Sequence, residues 1–167
     1  MLTFLNLEAE GFCSIESLHL QLNPTCTILI KAPNGKGKST ILSALVWAIY
    51  GKNLKGVSEV NTWKQVRPKD YKGTKVQVYF QKDSHTYKIV RCQKYDEVLE
   101  DGAKGKDRLI FMKDGDIVDI KGKGKIQDFI NREIGLSYTL FMNSIMFGQG
   151  IKTVSYTHLR AHETKAN

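Results

Sequence analysis

Leu5, Leu7 and Ala9 alternate with Asn6, Glu8 and Glu10, and a period of two predicts a half-buried strand. After a Gly11-Phe12-Cys13-Ser14 turn, Leu18, Leu20 and Leu22 alternate with Ser17, His19 and Gln21. A second strand is expected there, with His19 on its polar, solvent face. Asn23-Pro24 turns the chain into a third apolar run, Cys26 to Lys31, read as another strand. From Ile41 to Ile49 nearly every position is apolar, which predicts a helix over Ser39 to Tyr50 buried between layers, with Gly51 as its stop.

The stretch from Lys52 to Lys75 contains Pro68 and few apolar residues and reads as largely loop. Val76, Val78 and Phe80 alternate before a turn at residues 82–85, and Tyr87 and Ile89 continue after it, which predicts a hairpin. A lysine-rich spacer (Glu100 to Asp107) leads to a second hairpin, Leu109 to Met112 and Ile117 to Ile120, around Asp114-Gly115. Ile126, Phe129, Ile130 and Ile134 fall at helical spacing with Gly135 as the stop, and Ser137 is placed to cap a last aromatic-rich helix running towards Phe147. Residues 154–167 carry no apolar periodicity, and we separate them as a probable non-native or read-through tail from the folding region, residues 1–153. His158 and His162 lie four apart in that tail, but two histidines without a third ligand make a weak metal site.

The densest chemistry sits between the third run and the first helix. Asn34, Gly35, Lys36, Gly37, Lys38, Ser39 and Thr40 follow a strand and open a helix, the order a phosphate-binding loop needs. Glycines at 35 and 37 allow the positive φ that turns successive N–H groups inward as an anion nest. The helix N-terminus behind them favours a phosphate. Lys38 supplies a charge for the β/γ-phosphates of ATP, and the Ser39 hydroxyl is placed to ligate Mg²⁺. Ala32 stands where the usual pattern has its first glycine; at negative φ this costs little, and at positive φ on the order of 1 kcal/mol. Lys121-Gly122-Lys123-Gly124-Lys125 is a look-alike without a following Ser or Thr and without an apolar strand leading into it.

Composition adds two facts to this picture. The 167 residues carry a net charge of +8, and seven cations between Gly51 and Lys75 face only Glu59 and Asp70. Such a segment fits either the phosphates of a nucleic acid or a solvated lysine face. Within it Lys64, Arg67, Lys69 and Lys72 are the candidate DNA contacts, and Trp63 and Tyr71 the residues able to stack on a base. Cys13, Cys26 and Cys92 are odd in number and far apart, so they are expected to be reduced, mostly buried thiols of a cytoplasmic protein. No apolar run is long enough to span a bilayer, and the N-terminus has no secretory signature.

Taken together, the first strand, the Gly-Phe-Cys-Ser turn, the Asn-Gly-Lys-Gly-Lys-Ser-Thr loop, the Leu-Val-Trp-Ala-Ile-Tyr-Gly helix end and Phe-Met-Asn-Ser-Ile-Met-Phe-Gly-Gln-Gly resemble a known family. It is the N-terminal half of the SMC-like, ABC-type ATPases of double-strand-break repair, the SbcC and Rad kind, including the large subunit of the phage recombination endonuclease. The resemblance implies an α/β P-loop NTPase of ABC-ATPase head type. The part present would be its N-terminal lobe, an antiparallel β subdomain plus the phosphate-loop strand and helix, truncated before the second half.

The resemblance also implies ATP and Mg²⁺ as cofactors, with Lys38 and Gln149 catalytic. Gln149 matches the Q-loop glutamine that contacts Mg²⁺ and the attacking water, and its distance downstream of Lys38 suits this family better than the ABC transporters. Cys13 departs from the Arg or Gly usual in its turn, which bears on any base or ribose contact there. Implied partners are DNA, an SbcD-type nuclease subunit and a second ATPase head in a homodimer, with no membrane, in a bacterial or phage-infected cytoplasm. The signature loop, the acidic Mg²⁺ motif, the catalytic glutamate and the switch histidine of the second half do not occur in this sequence, so the chain by itself is not expected to complete hydrolysis. Two other readings stay open: another SMC-like ATPase of RecF, RecN or chromosome-organising type, and a basic nucleic-acid-binding module without turnover.

Overall fold

In the computed structural model, residues 1–22, 25, 27–31, 33 and 37–144 are described. They belong to two units, Met1–Gly135 and Leu136–Asn167. The first unit is built on strands β1 (Leu2–Phe12), β2 (Ile15–Gln21), β3 (Thr74–Lys82) and β4 (His85–Gln93). Four shorter strands follow, β5 (Tyr95–Val98), β6 (Lys104–Lys106), β7 (Leu109–Lys113) and β8 (Asp116–Ile117), with helices α1 (Lys38–Tyr50) and α2 (Lys123–Ile134). Six of the strands form one sheet in the order β2-β1-β3-β4-β7-β8, antiparallel at every step. The remaining two, β5 and β6, make a separate hairpin.

The register explains which side of the sheet is covered. Leu7, Val78, Ile89 and Phe111 lie in one row across β1, β3, β4 and β7, and Ala9, Val76, Arg91 and Leu109 in the next. Because strand side chains alternate, both rows face the same way. They are buried together with Ala44 to Ile49 of α1 and Ile130 of α2. Aromatic contacts tie this core: Phe12 meets Trp47 edge-on at 5.6 Å, and Phe80, Tyr87 and Phe111 stack in succession at 4.9 and 5.6 Å. Burial raises the Tyr87 phenol to about 12.

The opposite face is polar over β1 and β3, where Gln77 Nε2 donates to Glu8 at 2.7 Å and Lys75 pairs with Glu10 at 3.4 Å. His19 lies there, exposed as expected, with Nδ1 3.3 Å from Glu8. Over β4 and β7 the same face turns apolar. Val90, Cys92 and Ile110 form a second small core with Tyr95, under the β5–β6 hairpin. That hairpin occupies much of the stretch read as spacer. Its signal was Asp101-Gly102, a turn pair between a Tyr-Asp-Glu-Val arm and a Lys-Gly-Lys arm; the charged composition hid it.

Three further expectations are corrected. Thr27–Lys31 does not form a strand. A strand needs a ladder partner, and none stands beside it among the described residues; Ile28 and Leu29 are exposed, Leu29 by 73%. The first helix is buried only in its second half: Ser39 and Leu42 face solvent, while Ala44 to Ile49 are covered. The last strand of the second hairpin is just Asp116–Ile117.

The stops agree with the sequence. Gly51 and Gly135 sit at φ 72° and 77°, their N–H groups donating to Trp47 and Asn131. In the second unit, α3 (Tyr138–Ser144) begins where Ser137 accepts a hydrogen bond from Leu140 N–H at 3.3 Å. Cys13 and Cys92 are free thiols, and burial pushes Cys92 up to about 12. Cys26 and the tail beyond residue 153 lie outside the described residues.

Candidate nucleotide site

Gly37 has φ 84° and ψ 15°, the left-handed geometry the loop pattern requires, and forms the N-cap of α1. Its carbonyl accepts from Thr40 and Ile41 N–H at 3.0 and 3.2 Å, so the helix starts at once behind the loop. The first turn of α1 contains no acidic residue, so none of its own side chains offsets the positive dipole end. Lys38 Nζ donates to Pro33 O at 3.0 Å, five residues back along the chain. Ser39 is exposed at the same end. Asn34, Gly35, Lys36 and Gln149 lie outside the described residues, so the structure brings together Gly37, Lys38, Ser39 and Thr40 of the expected site.

Ser14 is a neighbour the sequence reading gave no role. A Cβ built on Gly37 would stand 3.4 Å from Ser14 Oγ, so the β1–β2 turn packs on the start of α1. Ser14 also lines a cleft of about 460 Å³ with Glu10, Gly11, Thr62, Tyr71 and Lys72. Its signal was present in the quoted Gly-Phe-Cys-Ser turn, but nothing in the spacing said that the turn would fold back on the loop.

The far wall of the cleft is held by buried hydrogen bonds. Asn61 Nδ2 donates to Thr74 Oγ1 and to Tyr71 OH at 2.9 Å each and to Gln93 O at 3.1 Å. Thr74 Oγ1 in turn donates to Gly11 O at 2.6 Å. Cys13 N–H donates to Val60 O at 2.7 Å. Gly73 is required here: a Cβ would meet Lys94 O at 2.1 Å. Thr74→Val should take from Gly11 O the shorter of its two hydrogen bonds, leaving the Tyr71 hydroxyl at 3.3 Å, while the two Asn61 N–H groups keep Tyr71 OH and Gln93 O. It should cost about 0.5–1.5 kcal/mol, read as a lowered denaturant midpoint; an unchanged midpoint would remove this network from the wall.

The candidate DNA residues divide into two groups. Lys64 and Lys69 are exposed and make no ion pair among the described residues. Arg67 Nε and Nη2 donate to Thr62 O at 3.1 and 2.7 Å, and its guanidinium lies 4.3 Å over the Tyr71 ring. Lys72 pairs with Glu97 at 3.2 Å. Tyr71 already has one face covered by Arg67 and its hydroxyl in the wall network, whereas Trp63 is 77% exposed. Arg67 and Tyr71 therefore shape the segment, and Lys64, Lys69 and Trp63 are its outward groups.

Another residue the sequence did not single out is Arg91 of β4, 5% exposed. Its Nε donates to Ala48 O at 2.9 Å and its Nη2 to Ile49 O at 3.2 Å and to Gln127 Oε1 of α2. Burial lowers it to about 10, so the guanidinium stays charged at neutral pH. It caps the negative end of the helix whose positive end carries the loop.

No group of three or more His, Cys, Asp or Glu is placed to hold a metal among the described residues. Magnesium would not need one, because it keeps waters and phosphate oxygens and takes few protein ligands; the exposed Ser39 hydroxyl fits that use. No described helix is long and apolar enough to cross a membrane.

Comparison with known proteins agrees with this geometry. A family model described as an AAA domain matches residues 6–166. Exonuclease subunit 2 of Escherichia phage RB69 is 28% identical over 151 residues, covering 89% of this chain and 24% of that protein. The probable DNA double-strand break repair Rad50 ATPase of Aquifex aeolicus is 27% identical over 147 residues, 87% of this chain and 14% of the relative. The chain thus spans at most about a quarter of these relatives. Among solved structures, the recombination mediator RecF bound to ATP superposes with a TM-score of 0.51 at 19% identity over 75% of this chain and 30% of its own. A structure from work on ATP-driven dimerization and DNA-stimulated activation of SMC ATPases superposes with a TM-score of 0.51 at 20% identity, over 83% of both chains. At these identities the structures speak for the fold, an ABC-ATPase head lobe. The chain belongs to the AAA domain family, and within it is SbcC/Rad50-like.

Proposed function

We propose that this chain is the ATP-binding part of a DNA repair and recombination ATPase, which binds DNA and gates a partner nuclease of SbcD type through ATP-dependent pairing of its heads. The observation that carries the reading is left-handed Gly37 delivering Lys38, Ser39 and Thr40 to an acid-free helix N-terminus beside an open cleft. The triphosphate would lie on that N-terminus, with Lys38 on the β/γ-phosphates. The nucleoside would lie in the cleft, whose carboxylates and hydroxyls suit ribose and base edges and would repel phosphates. Bound Mg²⁺ would neutralise charge on the β- and γ-phosphates. Ser39, together with Gln149, would hold it.

Hydrolysis needs a general base and a second carboxylate that this sequence does not supply, so we expect binding without turnover from the chain alone. The exposed Ile28 and Leu29 support this division of labour: the apolar run Thr27–Lys31 has no ladder partner among the described residues, and a second ATPase half could supply one. The names of the curated relatives favour the nuclease-linked reading over a RecF-type one. The setting would be the bacterial or phage-infected cytoplasm.

The test is binding of ATP and of duplex DNA by the chain, by calorimetry and fluorescence anisotropy. We expect saturable ATP binding, and DNA binding of equal strength across unrelated sequences. Neutralising Lys64 and Lys69 should flatten the dependence of log affinity on log salt by about 0.9 per lost phosphate contact. An unchanged slope would return those lysines to a solvated surface, and absence of ATP binding would overturn the nucleotide reading.

A further inference from the structure

We propose that the β5–β6 hairpin is an acidic strap covering a second phosphate-contacting surface, made by Lys72, Lys88 and Arg108, and that a nucleic-acid backbone takes these cations over from the strap. The proposal rests on the DNA-binding reading above and extends it to residues outside the basic segment.

Four carboxylates fall within six positions of the strap, Asp96, Glu97, Glu100 and Asp101, and each has a cationic partner. Glu97 pairs with Lys72 at 3.2 Å, Glu100 with Lys88, Asp101 with Arg108, and Asp96 with Lys104 at 2.9 Å. Three of these cations stand outside the strap, on the β3 approach, on β4 and ahead of β7. The strap therefore presents anions to the sheet much as a phosphate backbone would, and it withdraws Lys72 from the basic segment.

Its root and its tip are held differently. At the root Tyr95 is buried, its hydroxyl donating to Glu10 at 2.9 Å, and Gly105 packs so closely that a Cβ would stand 2.6 Å from its ring. Lys94 and Lys106, at the two ends, sit at φ 50° and 40°, a conformation non-glycine residues rarely adopt. The backbone of the tip bonds within the hairpin, through Val98 and Lys104 and the Leu99 N–H donating to Ala103 O. Val98 is 59% exposed, and a cavity of about 250 Å³ lies beneath the tip. An isolated two-stranded hairpin is only marginally stable, so ion pairs and the half-buried Leu99 carry much of what holds the tip down. Exchanging carboxylates for phosphates keeps the pairs made by the three cations and releases counterions from the DNA.

Three measurements on the full chain test this. Neutralising the tip as Glu97→Gln, Glu100→Gln and Asp101→Asn should strengthen duplex binding at least roughly tenfold at low salt and steepen the salt slope by up to about 2.7, at 0.9 per freed cation. Neutralising Asp116, Asp119 and Asp128 to Asn changes net charge equally and should leave the slope as in the parent. In the unmutated chain, saturating duplex DNA should speed hydrogen exchange at the Leu99 and Gly102 amides. Equal effects of the two triple variants, or slowed or unchanged exchange at Leu99, would overturn the strap while leaving DNA binding standing. No binding by the parent or by either variant would overturn both.

Discussion

Arg91→Met should lower the stability of the folded chain by about 2–4 kcal/mol, a sizeable part of the 5–15 kcal/mol typical of a domain. The guanidinium is the shared donor of two buried backbone acceptors, Ala48 O and Ile49 O, and of the half-buried Gln127 Oε1. Methionine can fill much of its volume and lie against Trp47, whose ring is 5.8 Å from the guanidinium carbon, but it donates nothing. Ile49 O would keep Gln127 Nε2, which reaches it at 2.8 Å; Ala48 O would lose its donor in a buried place, and the half-buried Gln127 Oε1 would lose a partner. The last turn of α1 has no basic residue of its own, so the dipole's negative end would also lose the buried cation that caps it. Arg91→Lys keeps the charge without the fork and should fall between the two. Denaturant midpoints of the three proteins, at matched slopes, make the comparison. A methionine variant as stable as the parent would show that the desolvation cost of the guanidinium outweighs its hydrogen bonds.

The contrast between Arg91 and the phosphate loop shows what the sequence could reveal. Loop, helix stop and hairpin chemistry are local: Gly37, Gly51 and Gly135 take the left-handed geometry their positions demanded, and the β3–β4 alternation gave the observed faces. Arg91 lay inside an alternating strand, in the pattern position of a core residue, and read as neither surface nor site. Its role depends on the C-terminus of α1 lying across β4, a contact between residues far apart in the chain. Ser14 escaped notice for the same reason. The strand expected at Thr27–Lys31 failed differently. Its apolar pattern is genuine, but pattern fixes only what a segment is suited to, and a ladder needs a neighbour. The β5–β6 hairpin was hidden by charge, since its tip is held from outside by lysines and an arginine and little by its own apolar side chains.

Lys38→Ala should abolish measurable ATP binding, raising Kd by at least about 100-fold, or roughly 2.7 kcal/mol, while leaving the fold intact. An ammonium on phosphate oxygens makes charge-assisted hydrogen bonds worth about 1.5–3 kcal/mol each, and alanine offers no substitute. The side chain makes an exposed contact to Pro33 O, so its loss should barely move the denaturant midpoint; this separates a binding defect from unfolding. Gly37→Ala probes the other half of the nest. At φ 84° an alanine is strained by about 1–2 kcal/mol, although its Cβ would make only ordinary contact with Ser14 Oγ, so affinity should fall through backbone strain without any change of charge. Gln149→Ala is the contrasting variant. A neutral amide that orients water and metal adds little to ground-state binding, so its ATP affinity should match the parent's, and its defect should be in turnover once the second ATPase half is present. Calorimetric titration of the three variants with Mg²⁺·ATP decides the matter. If Lys38→Ala binds ATP like the parent, the loop at the start of α1 is not a phosphate site, and the cleft beside Ser14 must serve some other ligand.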